Sequence, residues 1–146
     1  MTSLALIIVI GLMGGVAIGL QAPLASAINQ RLGILESVFI VHVGGLVAVG
    51  VPLLFMGGGR LAQWQTLPPY TLTAGLLGVV CVGSTVLMVP RIGVAAAIVL
   101  IIMGQLCVAA IIDHFGLVGV LPKPLTLNRL LGLGLVLVGV WWALRH

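Results

Sequence analysis

Long apolar stretches dominate this chain, and they constrain its fold more than any motif does. Five stretches of about 20 residues each carry almost no charge, and a helix of that length crosses a hydrocarbon core about 30 Å thick. The predicted helices run over residues 4–27, 37–56, 70–89, 93–115 and 127–144. Because the apolar runs are continuous rather than alternating, they are not the strands of a membrane β-barrel. The sequence predicts an all-α polytopic integral membrane protein, with residues 1–146 forming one transmembrane domain.

The composition excludes several classes of function. Hydrophobic residues make up 62% of the chain and charged residues 5%, whereas a soluble domain is about 25% charged. The net charge of +4 comes from so few groups that it forms no basic face for a nucleic acid. Cys81 and Cys107 lie in apolar runs without metal-ligand spacing, and no nucleophile is paired with a base at recognisable spacing. We therefore expect no enzymatic activity, no metal, no cofactor and no nucleic-acid partner.

Positive charges flank the predicted spans evenly. Five spans put three cations on each side of the membrane: Arg31, Arg91 and Arg145 on one, and Arg60, Lys123 and Arg129 on the other. Because Lys and Arg in short loops set orientation, this balance predicts insertion in both orientations. Two inverted copies would form an antiparallel dimer, a ten-helix inverted-repeat architecture like that of many transporters. A balance among six charges can also arise by chance, so this remains a hypothesis.

Small residues form a stripe on the first predicted helix. Gly11, Gly15 and Gly19 are spaced by four, and Ala22 and Ser26 continue the stripe. Helices in lipid associate through close backbone approach, which small residues permit. The stripe therefore predicts a packed helix face, either against another helix of the same chain or at a dimer seam.

Two glutamines inside apolar spans are the best candidates for contact with a substrate. Gln105 lies near the middle of the fourth span, and Gln21 precedes Pro23 in the second half of the first. Polar side chains are costly in hydrocarbon, and an amide can both donate and accept hydrogen bonds. Pro23 is expected to kink or unwind the end of its helix. The alternative is that both amides only join helices to one another.

Three further residues are candidates for gating or proton linkage. His42 lies early in the second span, and Asp113 and His114 end the fourth. Histidine side chains titrate near physiological pH, which suits them to carry a proton. A structural role is the alternative, with His42 bonded to a backbone carbonyl and Asp113 paired with Lys123.

Three segments resemble those of a known family. They are GVAIGLQAPLASAINQRLG at residues 15–33, LMVPRIGVAAAIVLIIMGQ at 87–105 with AAIIDHFGLVG at 109–119, and PKPLTLNRLLG at 122–132. Together they resemble the YdcZ family, small bacterial membrane proteins of the drug/metabolite transporter superfamily. The resemblance spans nearly the whole chain.

The resemblance implies a half-size secondary transporter in the bacterial inner membrane. Such a carrier would move a small polar or amphipathic molecule by alternating access, as an antiparallel homodimer or with a paired homologue. Related small multidrug exporters couple export to protons through a Glu in the first helix, where this chain has Gln21. The alternative is a non-transporting membrane subunit.

Overall fold

The structure, a computed structural model, is all-α and describes residues 3–145, except for the side chains of residues 143 and 144. Its α-helices are α1 (Leu4–Leu32), α2 (Ile34–Phe55), α3 (Ala74–Ile92), α4 (Val94–Phe115) and α5 (Leu127–Leu144). Two short 3-10 helices, Leu61–Thr66 and Pro69–Thr73, connect α2 to α3. A third, Leu117–Gly119, follows α4.

Four helical segments are long and apolar enough to cross a membrane. They are Leu4–Leu32, Ile34–Phe55, Pro69–Ile92 and Val94–Phe115. The fifth apolar helix is shorter, covering Leu127–Trp142 by the same measure. The architecture is therefore that of a polytopic membrane protein with four long apolar helices and a shorter one, where the sequence predicted five spans.

The burial of apolar side chains is the reverse of that in a soluble protein. Among the side chains that the structure describes, the buried apolar residues are all Ala or Val, and no Leu, Ile or Phe is buried. Leu35 and Phe55, for example, expose more than four-fifths of their surface. Lipid solvates large apolar side chains, so helices in a bilayer pack through small ones instead.

A single glycine forms the corner between α1 and α2. Gly33 has φ +112° and ψ 169°, a backbone conformation that is essentially restricted to glycine. Helix α1 continues to Leu32 and α2 begins at Ile34, so the residues between the first two predicted helices are helical on both sides of this corner. The expectation that Pro23 unwinds the helix end is wrong, because α1 runs nine residues beyond it. At 1.5 Å per residue α1 is about 44 Å long, so its polar last turns extend beyond a 30 Å core.

The corner between α3 and α4 is also formed by a glycine with positive φ. Gly93 has φ +83° and ψ 165°, close to the conformation of Gly33. Both glycines stand in similar sequences, Arg-Leu-Gly-Ile and Arg-Ile-Gly-Val. Pro90 and Arg91, which lie between the third and fourth predicted helices, belong to α3.

The chain divides into two compact units at this second corner. The first unit ends at Arg91 and comprises α1, α2 and nearly all of α3. The second unit begins at Ile92 and comprises α4 and α5. In the first unit the buried residues are Ala22, Ala25, Ser26, Ser37, Val38 and Val86. Those of α1 and α2 all lie near the Gly33 corner, which is therefore the best-packed part of the unit.

Candidate functional site

Beside the Gly33 corner, Asn29 on α1 satisfies a backbone carbonyl that a proline has freed on α3. The carbonyl of Val86 would normally accept a hydrogen bond from the amide of residue 90, but Pro90 has no N–H. Asn29 Nδ2 donates to this carbonyl at 3.0 Å. Val86 is fully buried, with an exposed fraction of 0%, so water cannot take the place of Asn29. This contact joins the last turns of α1 and α3.

A serine hydroxyl joins α2 to α1 at the same corner. Ser37 Oγ donates to the carbonyl oxygen of Ala25 at 2.7 Å. Ser37 is also 0% exposed. On α1, Gln30 Nε2 reaches Ser26 Oγ at 3.5 Å, within its own helix. The polar groups of this region are therefore satisfied by neutral hydrogen bonds, without an ion pair.

His42 lies one turn further along α2 and faces α3. Its Nδ1 is 2.7 Å from the carbonyl oxygen of Val38, which can only accept, so Nδ1 is the donor of this hydrogen bond. A Cβ placed on Gly78 of α3 would lie 3.3 Å from Nε2. The glycine thus lets α3 approach the imidazole. Of the two hypotheses for His42, the bond to a backbone carbonyl is present, and proton linkage stays a prediction.

The two predicted substrate ligands are both exposed on helix faces. Gln21 is on α1 in the first unit and adjoins the buried Ala22. Gln105 is on α4 in the second unit. Neither amide has a hydrogen-bond partner within the described part of the chain. Both are therefore free to bind another molecule.

Asp113, at the end of α4, pairs with the first turn of α5. Its carboxylate Oδ2 accepts from Arg129 Nη2, and the two side chains are 24% and 38% exposed. Lys123, the partner considered from the sequence, instead donates its backbone N–H to the carbonyl oxygen of Asp113 at 2.6 Å. Arg129 Nη1 also donates to the carbonyl oxygen of Lys123 at 3.2 Å. Arg129 therefore holds both the helix end and the loop.

His114 binds the same loop one residue further on. Its Nδ1 accepts the backbone N–H of Leu125 at 3.2 Å, which requires Nδ1 to be unprotonated. Its ring meets Phe115 edge-on, with centroids 4.7 Å apart. In between, Val118 has φ +57°, an unusual value for a β-branched residue. The bonds from Asp113 and His114 therefore close a strained loop, and their roles in gating stay predictions.

The small-residue stripe on α1 separates into two parts. Ala22 and Ser26 are buried in the first unit. A Cβ added at Gly11, Gly15 or Gly19 would meet nothing within 4 Å. The helix face with the three glycines thus packs against nothing within its own unit, whereas Ala22 and Ser26 pack near the corner.

Sequence reasoning missed three residues that carry these contacts: Asn29, Ser37 and Arg129. Asn29 had a usable signal, because it follows Ala22 and Ser26 of the stripe at helical spacing. Pro90 gave a second signal, since a proline within a helix always frees the carbonyl four residues before it. Arg129 had none, because its charge fitted a solvated helix end equally well.

No group of three His, Cys, Asp or Glu side chains within residues 3–145 is placed to hold a metal ion.

Comparison with known proteins identifies the family. Residues 6–142 match the model of the family described as "Putative inner membrane exporter, YdcZ". No curated protein and no solved structure is significantly similar to the chain. Membership of an exporter family points to a non-enzymatic membrane protein. The match covers most of the chain and agrees with the four apolar helices, so the chain belongs to the YdcZ family and is an inner membrane protein.

Proposed function

We propose that this protein is a half-size secondary carrier that exports a small polar or amphipathic molecule by alternating access. The observation that carries the proposal is the family match over residues 6–142, which includes at least part of each described α-helix. A substrate with both polar and apolar groups suits the chain, whose exposed helix faces are apolar and carry few amides. Gln21 and Gln105 are the proposed substrate ligands, because both amides are exposed and lack a hydrogen-bond partner within residues 3–145.

The proposed active form is an antiparallel dimer. Two properties of the chain support it: the equal division of cations between the predicted sides, and the unoccupied glycine face of α1. Gly11, Gly15 and Gly19 would allow a second copy to approach the backbone closely. An inverted pair would supply both halves of an inverted-repeat transporter, which a single five-helix chain lacks.

His42, Asp113 and His114 are proposed to act in gating or proton linkage. His42 Nε2 lies next to Gly78 of α3, and His42 Nδ1 is held by the carbonyl oxygen of Val38. Asp113 and His114 hold the loop between α4 and α5, so a proton on either would weaken that closure. Coupling through these residues would replace the first-helix glutamate that related small multidrug exporters use.

Membrane topology is the first test. Paired reporters, one active in the cytoplasm and the other outside it, are fused in turn to the C-terminus after Arg145. Strong signals from both reporters are expected if the chain inserts in both orientations. A signal from only one would contradict the antiparallel homodimer and leave an oppositely oriented homologue as the required partner.

Efflux measurements test the site itself. Cells that express the protein are exposed to a panel of toxic amphipathic compounds, and growth and intracellular accumulation are compared with those of empty-vector cells. We expect Gln105→Leu to abolish any protection while insertion and dimer formation persist. Gln65→Leu, which alters an exposed amide in the connector between α2 and α3, is the matched control. Unchanged efflux by Gln105→Leu would remove Gln105 from the site.

A further inference from the structure

The connector between α2 and α3 forms a cavity that none of the contacts above uses. Helix α2 ends at Phe55, and the next membrane-length segment begins at Pro69. Residues 56–68 therefore connect the ends of two spans, at the depth where a bilayer passes from hydrocarbon to headgroups. This location determines which molecules surround the connector.

Three glycines turn the connector back onto the end of α2. Gly57, Gly58 and Gly59 all have positive φ, between +55° and +79°. The N–H of Gly58 donates to the carbonyl oxygen of Leu53 at 2.8 Å, which caps the helix. A Cβ on Gly59 would lie 3.2 Å from Leu53 Cδ1, so the turn lies close against this leucine. The 3-10 helix that follows, Leu61–Thr66, faces the same end of α2 across a cavity.

The cavity is lined by leucine side chains and by side chains that carry hydrogen-bond donors. Its volume is about 390 Å³, within the range typical of small-molecule sites. The leucines are Leu53, Leu61 and Leu67, and the residues with donors are Arg60, Gln63, Trp64 and Thr66. Thr66 Oγ1 is already used, because it donates to the carbonyl oxygen of Gln63 at 2.7 Å.

Two of the donors at this cavity, on Arg60 and Trp64, have no acceptor in the described part of the chain. Within residues 3–145, the guanidinium of Arg60 has no ion pair, and neither it nor the indole N–H of Trp64 has a hydrogen-bond partner. The sequence between residues 56 and 73 contains no Asp or Glu that could supply one. A guanidinium and an indole N–H beside leucine side chains are complementary to an anion that carries a hydrocarbon chain.

We propose that this cavity binds one anionic phospholipid. The phosphate accepts hydrogen bonds from Arg60 and the indole of Trp64, and the first part of an acyl chain packs on Leu53, Leu61 and Leu67. A phospholipid is the occupant that the location favours, because its phosphate and acyl chains meet at the depth where the connector lies. The proposal depends on the membrane location of the chain and not on the transported molecule, so it stands or falls separately from the proposed function.

Tryptophan fluorescence tests this lipid site directly. The chain has three tryptophans, so Trp141→Phe with Trp142→Phe leaves Trp64 as the sole indole. This variant is reconstituted into phosphatidylcholine vesicles that contain either phosphatidylglycerol or phosphatidylcholine with brominated acyl chains, which quench nearby indoles. We expect stronger quenching by the brominated phosphatidylglycerol. Equal quenching by the two lipids would overturn the proposal, because Trp64 would then only report contact with bulk lipid.

Substitutions at Arg60 and Arg31 test which arginine causes the preference for the anionic lipid. Arg60→Gln in the same background is expected to lower the apparent affinity for brominated phosphatidylglycerol about tenfold or more, since hydrogen bonds to charged groups are the stronger ones. Arg60→Lys should retain part of the preference, and Arg31→Gln, which removes another exposed arginine, should retain all of it. Equal loss in Arg31→Gln and Arg60→Gln would indicate general surface charge and contradict a site at Arg60.

A competition experiment separates lipid from free anion. Inorganic phosphate is added to the vesicles at constant ionic strength, and recovery of Trp64 fluorescence is followed. No recovery is expected if the acyl chain contributes to binding. Full recovery at low phosphate concentration would overturn the lipid assignment in favour of a site for soluble anions.

Discussion

The two units of this chain stabilise their helices by different means. In the first unit, uncharged side chains on α1 and α2 donate to backbone carbonyls, as Asn29 does to Val86 and Ser37 to Ala25. In the second, an ion pair between Asp113 and Arg129 joins α4 to α5 beside a longer loop. The donors of the first unit lie on tightly packed helices, whereas the ion pair is partly exposed.

The difference follows from how deeply each contact is buried. Burying a charge is costly unless it is paired, so the buried, close-packed corner favours neutral hydrogen bonds. At the partly exposed end of α4, two opposite charges lose less hydration on pairing. The stability of the first unit should therefore depend on backbone geometry and packing, and the stability of the second on charge.

Substitution of Gly33 should have the largest effect. Gly33→Ala forces a residue with a side chain to adopt a φ of +112°. The resulting strain should lower the free energy of unfolding in mixed micelles by about 3 kcal/mol. The carboxylate of Glu36, 2.6 Å from the added Cβ, can rotate away, but the backbone cannot. Gly45→Ala is the control, since its Cβ meets nothing within 4 Å and a helical alanine is neutral or stabilising. Equal effects of the two substitutions would show that the corner is not strained.

Asn29→Ala should have the next largest effect. It should lower the free energy of unfolding by about 2 kcal/mol, because it leaves the carbonyl of Val86 buried without a donor. Pro90→Ala restores the missing N–H of α3. In that background the loss on Asn29→Ala should fall to a few tenths of a kcal/mol. An unchanged loss would mean that Asn29 does not act through the carbonyl that Pro90 frees.

The ion pair of the second unit should contribute less and depend on salt. A double-mutant cycle with Asp113→Asn and Arg129→Gln should give a coupling energy of about 1 kcal/mol, as expected for a partly exposed pair. The coupling should decrease in high salt, because exposed charges are screened. The effect of Asn29→Ala should not depend on salt. A salt-independent ion pair would remove the distinction between the two units.

Ser37→Ala should have the smallest effect, about 0.6 kcal/mol, a typical value for a hydrogen bond between membrane helices. The carbonyl of Ala25 lies within α1 and still accepts its helical hydrogen bond after the hydroxyl is lost. The substitution therefore leaves no buried acceptor without a donor. Thr85→Val is the matched control, since Thr85 Oγ1 donates at 2.8 Å to Cys81 within its own helix. Its unfolding free energy should be almost unchanged. A larger effect in Thr85→Val would contradict the role of Ser37 in joining α1 to α2.

Much of the architecture could be predicted from the sequence, but the helix ends near the corners could not. Asn29, Gln30 and Arg31 are polar residues between apolar stretches, a pattern that predicts a connector, although they belong to the last turns of α1. Helical backbone satisfies its own hydrogen bonds whatever its side chains, so polarity alone does not end a helix. The residues that do end α1 and α3 are glycines with positive φ.

The candidate site was predictable only in part. Gln21, His42, Gln105, Asp113 and His114 stand out because polar groups in apolar stretches are conspicuous in any sequence. Their partners do not, because a partner is defined by which helix faces meet. The choice of Arg129 over Lys123 for Asp113 depended on the path of residues 116–126, and no local pattern encodes that path.

The sequence by itself determined that this chain is an all-α membrane protein of the YdcZ family. Both properties depend on local composition and order along the chain, and a window of about 20 residues is enough to assign an apolar helix. The tertiary structure decided where the helices turn, which carbonyl Asn29 satisfies, and which charges pair. These contacts join residues as far apart as Asn29 and Val86, and their free energies depend on distances that only the packed helices define.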